Sequence, residues 1–159
     1  MALLAKNHTT YDIGLIQAKG YRVLKQLSAS VLKPEGLTTL ERAIMGILRR
    51  AKTGVRASEI AKELGVQPPL VSRIIVRMEK NKWIHVSLGE DRRERVITLT
   101  EKSKRDMVRI EKLVRAAMRP MLVGIATRDL VGYLRTLASL SENCKNAPTG
   151  SLTDYIPDD

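Results

Sequence analysis

The order of apolar and polar positions along the chain predicts a mainly helical protein. From Tyr11 to Leu32, apolar residues recur every three or four positions, which places them on one face of a helix. Pro34 and Gly36 end this helix, and Thr38-Thr39-Leu40-Glu41 has the form of a capping box that begins a second helix, ending near Arg50. The inward residues of the second helix are predicted to be Leu40, Ile44, Ile47 and Leu48.

A helix-turn-helix is predicted next. Lys52 to Gly54 forms a turn and Val55 to Ala57 a short extended piece. Ser58 to Leu64 is a two-turn helix closed by Gly65, the residue type best suited to a left-handed position. Pro68 begins the next helix, which runs to about Lys80. Two short helices joined by a tight turn that contains glycine form a helix-turn-helix.

The period then changes to that of strands. Apolar residues alternate with polar ones from Ile84 to Leu88, a turn follows, and Glu94 to Leu99 is rich in β-branched residues. This predicts a β-hairpin, or wing. Thr100 begins a long helix whose apolar stripe consists of Met107, Ile110, Val114, Ala117 and Met121. Pro120 should end or kink this helix, and a last helix starts at Asp129.

The predicted fold class is therefore mainly α (α+β), a winged helix-turn-helix with terminal dimerisation helices. Residues 1–36 form the N-terminal segment and helix, and residues 37–100 form the winged helix-turn-helix lobe. Residues 101–145 form the C-terminal helices, and residues 146–159 are expected to be a flexible tail. A dimer is expected because one small lobe cannot cover the apolar stripes of three terminal helices.

Charge is distributed unevenly. The 159 residues contain 28 Lys and Arg against 17 Asp and Glu, a net charge of +11. Residues 1–51 have eight basic and three acidic residues, residues 52–110 have fourteen and eight, and residues 111–159 have six of each. Such a surplus commonly serves a polyanion. By itself it is compatible with nucleic acid, an anionic membrane or solubility.

Several classes of protein are excluded by the composition. Apolar runs fall far short of the roughly 20 residues that span a bilayer, and residues 1–8 show no secretory signal, so a cytoplasmic protein is expected. Cys144 is the single cysteine and the histidines are His8 and His85, which leaves no disulfide and no metal-ligand cluster. Since no nucleophile–base pair, carboxylate dyad or phosphate-binding glycine loop is present, neither an enzyme nor a cofactor is expected.

The second helix of the helix-turn-helix carries the chemistry that suits double-stranded DNA. Arg73 and Arg77, one turn apart, can fork onto guanine O6 and N7 or clamp phosphates. Ser72 can bond a base edge or a phosphate, and Val76 can meet a thymine methyl. The predicted outer face of this helix, together with the residue that precedes the helix, consists of Gln67, Pro69, Ser72, Arg73, Val76, Arg77 and Lys80. The predicted inner face consists of Val71, Ile74, Ile75 and Met78.

The tip of the hairpin adds a second predicted contact. Arg92 and Arg93 put two guanidinium groups on a protruding turn, suited to phosphates or to a narrow minor groove. Asp91 is assigned a structural role, since pairing with a neighbouring arginine would hold the shape of the tip.

The stretch from Asp91 to Lys102 resembles the D-R-R-x-x-x-x-x-L-T-E-K signature of the MarR family of bacterial winged-helix transcriptional regulators. Ser58 to Val66, Val71-Ser72-Arg73 and Met78-Glu79-Lys80 also resemble that family, and the likeness covers about residues 11–145. The resemblance implies a homodimer whose terminal helices interlock and whose two winged helices bind a pseudo-palindromic operator. It further implies a repressor released by a small-molecule effector or by oxidation.

Three departures from the family pattern bear on the site. Gln67 stands where a small hydroxyl or carboxylate cap is usual, so it caps less well but is a candidate base reader. Asn81-Lys82 stands where the family favours glycine, which predicts a positive φ at one of the two. Ser103 replaces a usual glycine.

The ligand-binding residues are unknown from the sequence. The resemblance suggests a cleft between the dimer helices and the DNA-binding lobe that takes an aromatic acid or a lipophilic ligand. Tyr21, Arg22 and Trp83 are candidate lining residues, although core packing explains Tyr21 and Trp83 better. Two alternatives to a sequence-specific regulator stay open: a winged-helix module that binds proteins, and an architectural protein that binds DNA of any sequence.

Overall fold

A computed structural model describes residues 10–51, 53–89 and 94–146, and it confirms the predicted winged helix-turn-helix. Asp91, Arg92, Arg93 and the tail lie outside the described residues, as does the side chain of Cys144. The elements in chain order are α1 (Thr10–Leu32), a 3-10 helix (Lys33–Glu35), α2 (Thr39–Arg50), α3 (Ala57–Leu64), α4 (Pro68–Lys80), β1 (Ile84–Leu88), β2 (Arg95–Leu99), α5 (Glu101–Met118), a 3-10 helix (Arg119–Leu122) and α6 (Thr127–Asn146).

The helix boundaries follow from local chemistry. Thr38 accepts a hydrogen bond from the Glu41 amide, and the Glu41 carboxylate accepts one from the Thr38 amide, so the predicted capping box at the start of α2 is confirmed. Gly65 closes α3 in the left-handed region at φ 64°. α5 ends at Met118 and continues as the 3-10 helix that contains Pro120, as that proline predicts.

The sheet positions the wing against the helix-turn-helix. β1 and β2 pair antiparallel from Ile84↔Leu99 to Leu88↔Arg95. Val55 adds an isolated antiparallel bridge to Ile97, with hydrogen bonds of 3.0 Å in both directions. The backbone of Gly54, next to Val55, lies so close to β2 that a Cβ at position 54 would be 1.9 Å from Val96 Cγ1. Only glycine fits without a shift of the surrounding structure.

The core is aliphatic and fills the space between the helices of the lobe, the sheet and α5. Its largest fully buried apolar side chains are Leu32, Ile44, Met45, Ile60, Met78, Ile84 and Ile97. Trp83 packs into this core at 8% exposure, as predicted. The inward stripe of α2 is rotated from the predicted one, because Glu41, Ile44, Met45 and Leu48 are buried while Leu40 and Ile47 are half-buried.

The chain divides into two compact units at Pro120. Large apolar side chains stay exposed on α1 in the first unit and on α6 in the second, among them Leu15, Ile16, Val23, Tyr133, Leu134 and Leu140. Tyr21 is 62% exposed, so the interpretation of Tyr21 as a core residue was wrong for the single chain. Within the described ranges, no helix combines the length and apolar character needed to cross a membrane.

Candidate nucleic-acid interface

The structure places the predicted residues of α4 together on one exposed surface. Gln67, Pro69, Ser72, Arg73, Val76 and Arg77 are all exposed. The apolar side chain of Val76 is 67% exposed. The opposite face buries Val71, Ile74, Ile75 and Met78, and this burial fixes which side of α4 faces outward.

The N-terminus of α4 forms without a side-chain cap. Gln67 has extended backbone angles and makes no cap hydrogen bond with its side chain, so its amide group is available to a ligand. Pro68 and Pro69 occupy the first helical positions, where a missing N–H costs no hydrogen bond. The Ser72 hydroxyl donates to the Pro68 carbonyl at 3.2 Å, which leaves its oxygen free to accept.

The two arginines of α4 differ in what they contact. Among the described residues, none forms a hydrogen bond or ion pair with Arg73. Arg77 donates from Nε to Glu41 Oε1 at 2.9 Å. The Glu41 side chain is 2% exposed and that of Arg77 is 52% exposed. Arg77 therefore joins the outer face of α4 to a buried carboxylate on α2.

Glu41 is the residue of this surface that sequence reasoning missed. The sequence pattern explains Glu41 only as part of the capping box, although Glu41 lies at the first position of the 41, 44, 45, 48 stripe that faces the core. A glutamate on a buried helical stripe requires a partner, because burying an isolated carboxylate is costly. The sequence therefore indicates that Glu41 needs a partner, but it does not identify Arg77, which lies 36 positions away.

A second arginine clasp holds the base of the wing. Arg56, just before α3, donates from Nη1 to Glu94 Oε1 at 2.6 Å and from Nη2 to Glu59 Oε1 at 3.0 Å. Hydrogen bonds from Arg56 hold the pKa of the Glu59 carboxyl below its ordinary value. The clasp joins the start of the helix-turn-helix to the residue just before β2.

The connection from α4 to the wing uses the departures noted in the sequence. Lys82 has φ 60°, so the predicted positive φ falls on Lys82, and Asn81 has φ −83°. The Thr100 hydroxyl donates to the Lys82 carbonyl at 3.1 Å, and the buried Ser103 hydroxyl donates to the Trp83 carbonyl at 2.6 Å. These hydroxyls bind the turn that sets the direction of β1.

A cleft of about 630 Å³ lies between α2, α3 and α5. Ile47, Leu64 and Met107 contribute apolar surface to its lining, and Arg42, Arg49 and Arg50 contribute cationic groups. Arg42 donates to Glu111 at 2.7 Å, and this hydrogen bond holds the pKa of the Glu111 carboxyl below its ordinary value. Arg50 pairs with Glu63 at 3.0 Å, whereas Arg49 has no partner among the described residues. A ligand with an anionic group and an apolar body would match this lining.

Comparisons with known proteins find similarity to transcriptional regulators. Residues 35–94 match the model of the MarR family. The HTH-type transcriptional regulator YwoH of Bacillus subtilis (strain 168) is 31% identical over 84 residues, which cover 53% of this chain and 61% of YwoH. The transcriptional activatory protein BadR of Rhodopseudomonas palustris (strain ATCC BAA-98 / CGA009) is 27% identical over 133 residues, covering 81% of this chain and 76% of BadR.

The fold is similar to that of CouR from Rhodococcus jostii RHA1. The structure of CouR bound to p-coumaroyl-CoA matches with a TM-score of 0.76 and 21% identity, over 85% of this chain and 95% of CouR. The structure of CouR, a transcriptional repressor, bound to a 23-mer DNA duplex matches with a TM-score of 0.73 and 20% identity, over 86% and 99% of the two chains. At 20–21% sequence identity, the similarity to CouR shows a shared fold and nothing more.

Proposed function

Because the chain is a member of the MarR family, we propose that it is a dimeric, sequence-specific DNA-binding transcriptional regulator. The observation that carries the proposal is the outer face of α4, which presents two arginines, a serine and an exposed valine on a helix whose other face is buried. The major groove admits one helix of this width. CouR, which has a similar fold, binds a DNA duplex, and this supports DNA binding by the present chain.

The exposed apolar side chains of α1 and α6 support the proposed dimer. Leu15 and Val23 on α1, and Leu134 and Leu140 on α6, are each about half exposed. Packing these faces against a second copy would remove them from water at about 25 cal/mol per Å² of buried apolar surface. A two-fold dimer presents two α4 helices to one duplex, which is the reason to expect a pseudo-palindromic operator.

We assign the cleft between α2, α3 and α5 to a small-molecule effector. Arg49, which has no partner among the described residues, and the apolar lining suit an organic anion, and CouR, with a similar fold, binds p-coumaroyl-CoA. The regulator is proposed to repress and to be cytoplasmic, where bacterial DNA lies. The activatory protein BadR makes activation the contrasting outcome.

Selection of bound duplexes from a random-sequence library tests the DNA-binding proposal. The selected duplex should bind about a thousandfold more tightly than random duplex, and the logarithm of the binding constant should fall by about 0.9 per neutralised phosphate with the logarithm of salt concentration. Equal affinity for both duplexes would identify an architectural DNA-binding protein. Absence of binding at low salt would identify a protein-interaction module.

A reporter gene placed behind the selected duplex tests the direction of regulation and the effector. Lower expression with the protein present supports repression, and higher expression supports activation. For the effector, p-coumaroyl-CoA and free p-coumarate are the probes, with release of the duplex as the readout. Release that weakens in Arg49→Ala supports the cleft, whereas release unaffected by that substitution places the ligand elsewhere.

A further inference from the structure

Glu41 holds Arg77 at a defined position on the candidate DNA-binding surface. Oε1 of Glu41 accepts the hydrogen bond from Arg77 Nε, while Oε2 accepts from the Thr38 amide at 2.7 Å and from the Thr38 hydroxyl at 2.8 Å. Three donors therefore bind one buried carboxylate. Because two of them belong to Thr38, the N-cap residue of α2, the cap of α2 orients the carboxylate independently of α4.

This geometry restricts one end of the guanidinium and leaves the other end available. Nε is occupied by Glu41, but the Arg77 side chain is still half exposed, and its two Nη groups form no hydrogen bond with another described residue. A guanidinium carries five N–H donors in a rigid fork, so fixing Nε also fixes the directions of the Nη groups. A donor that is already oriented loses less entropy when it binds.

The positions of the two arginines along α4 suggest different partners on DNA. Arg73 is the sixth residue of the 13-residue helix and Arg77 the tenth. In helix-turn-helix proteins the N-terminal part of the recognition helix meets base edges. Contacts with phosphates, in contrast, fix the register of the protein on the duplex. An arginine anchored to α2 near the C-terminal end of α4 suits the second role.

We propose that Glu41 is a positioning residue that orients the Arg77 guanidinium so that its Nη groups clamp a DNA phosphate, while Arg73 contacts base edges. The inference rests on the proposed DNA-binding function. It separates two arginines that the sequence presents as equivalent, and it assigns a role in DNA binding to a buried residue outside the helix-turn-helix.

Glu41→Gln gives the sharpest test, because charge and positioning predict opposite results. The substitution makes the protein more positive by one charge, which alone would strengthen binding to any duplex. Loss of the oriented phosphate clamp should instead weaken binding to the selected duplex about tenfold, the effect of losing a hydrogen bond to a charged group. Binding to random duplex should weaken by a similar factor, because a phosphate contact carries no sequence information.

One variant serves as a matched control. Glu101→Gln removes a charge from an exposed ion pair with Lys104 on α5, and it makes the same change in net charge as Glu41→Gln. A tenfold loss in this control would overturn the proposal, since net charge would then explain the effect.

Arg77→Lys keeps the test decisive if Glu41→Gln does not fold. Lysine retains the charge but cannot bind Glu41 and a phosphate in a fixed geometry, so the same tenfold loss is expected on the selected duplex and on random duplex. Arg77→Ala should lower the salt slope by about 0.9, the value of one phosphate. Arg73→Ala should leave the slope unchanged and reduce the preference for the selected duplex. Thermal unfolding of each variant, followed by circular dichroism, establishes that binding is measured on folded protein.

The two levels of the hypothesis fail differently. If the wild type selects no duplex, the proposed function is wrong. If the wild type selects a duplex and both Glu41→Gln and Arg77→Lys bind it as tightly, only the positioning role is wrong.

Discussion

Arg56 and Glu94 meet at 2.6 Å across the base of the wing, although they lie 38 positions apart in the sequence. Arg56 also binds Glu59 through its side chain and its backbone amide, so one arginine holds the first turn of α3 and the start of β2 together. Glu94 follows directly after the tip residues Arg92 and Arg93 in the chain. The clasp therefore links the helix-turn-helix to the segment that carries the predicted wing contact.

Both Arg56→Ala and Glu94→Gln are expected to weaken binding to the selected duplex, by about fivefold at most, the largest effect of an exposed ion pair. The two substitutions break the same clasp but change the net charge in opposite directions. Equal loss in both would assign the effect to the position of the wing. Opposite shifts, with Glu94→Gln binding more tightly, would show that only the net charge matters. Fluorescence anisotropy with labelled duplex measures both.

Lys82→Gly is expected to raise the free energy of unfolding by about 1 kcal/mol, because a left-handed φ costs a non-glycine residue about that much. The backbone bonds of Lys82 to Glu79 and Thr100 are kept in the variant. The matched control is Asn81→Gly, where φ is −83° and glycine should destabilise by about 0.5–1 kcal/mol. Urea denaturation of both variants checks that the free energy of unfolding changes with opposite sign. Destabilisation by Lys82→Gly would contradict the proposed backbone strain at Lys82.

The sequence predicted local features well and long-range pairs poorly. The bounds of α4 and β1, the capping box at Thr38 and the left-handed Gly65 depend on residues within a few positions of each other, so the pattern alone identified them. The Glu41–Arg77 and Arg56–Glu94 pairs join distant segments. Their existence depends on how α2, α4 and the sheet pack, which no local spacing specifies.

The requirement for glycine at position 54 has the same origin. The sequence marks Gly54 as a turn residue, but the close approach to Val96 arises only because Val55 pairs with Ile97. The extended character of Val55 was predicted from the sequence, whereas its partner strand was not. Candidate contact residues could likewise be identified from the outer face of α4, while the different environments of Arg73 and Arg77 required the fold.

Acid is expected to remove the contribution of the Glu35–Arg109 pair to stability. Arg109 binds both carboxylate oxygens of Glu35, at 2.7 and 2.6 Å, and this bonding holds the Glu35 pKa below its ordinary value of 4.5. Since the folded pKa lies below the unfolded one, the pair stabilises the protein above pH 4.5 and loses this effect as the pH falls through the folded pKa.

The melting temperatures of the wild type and of Glu35→Gln should therefore differ by a constant amount at neutral pH and converge below about pH 4.5. The carboxylates that both proteins share affect both melting temperatures equally, so their contribution cancels in the difference. Arg109→Ala removes the same pair from the other side and should show the same convergence. A difference that stays constant down to about pH 3 would show that the Glu35 pKa is not lowered by Arg109.

Leu134→Glu is expected to convert a dimer into monomers, because Leu134 is 56% exposed on α6 and a second copy is its proposed cover. A charge buried in an apolar interface costs several kcal/mol, enough to shift dissociation by orders of magnitude. Ser139→Glu is the matched control, since it adds the same charge on the side of α6 that carries Arg128 and Arg135 and should leave the dimer intact. Sedimentation velocity at micromolar concentration separates the two species. A monomeric wild type would contradict the dimer itself, whereas a dimeric Leu134→Glu would move the interface away from this face of α6.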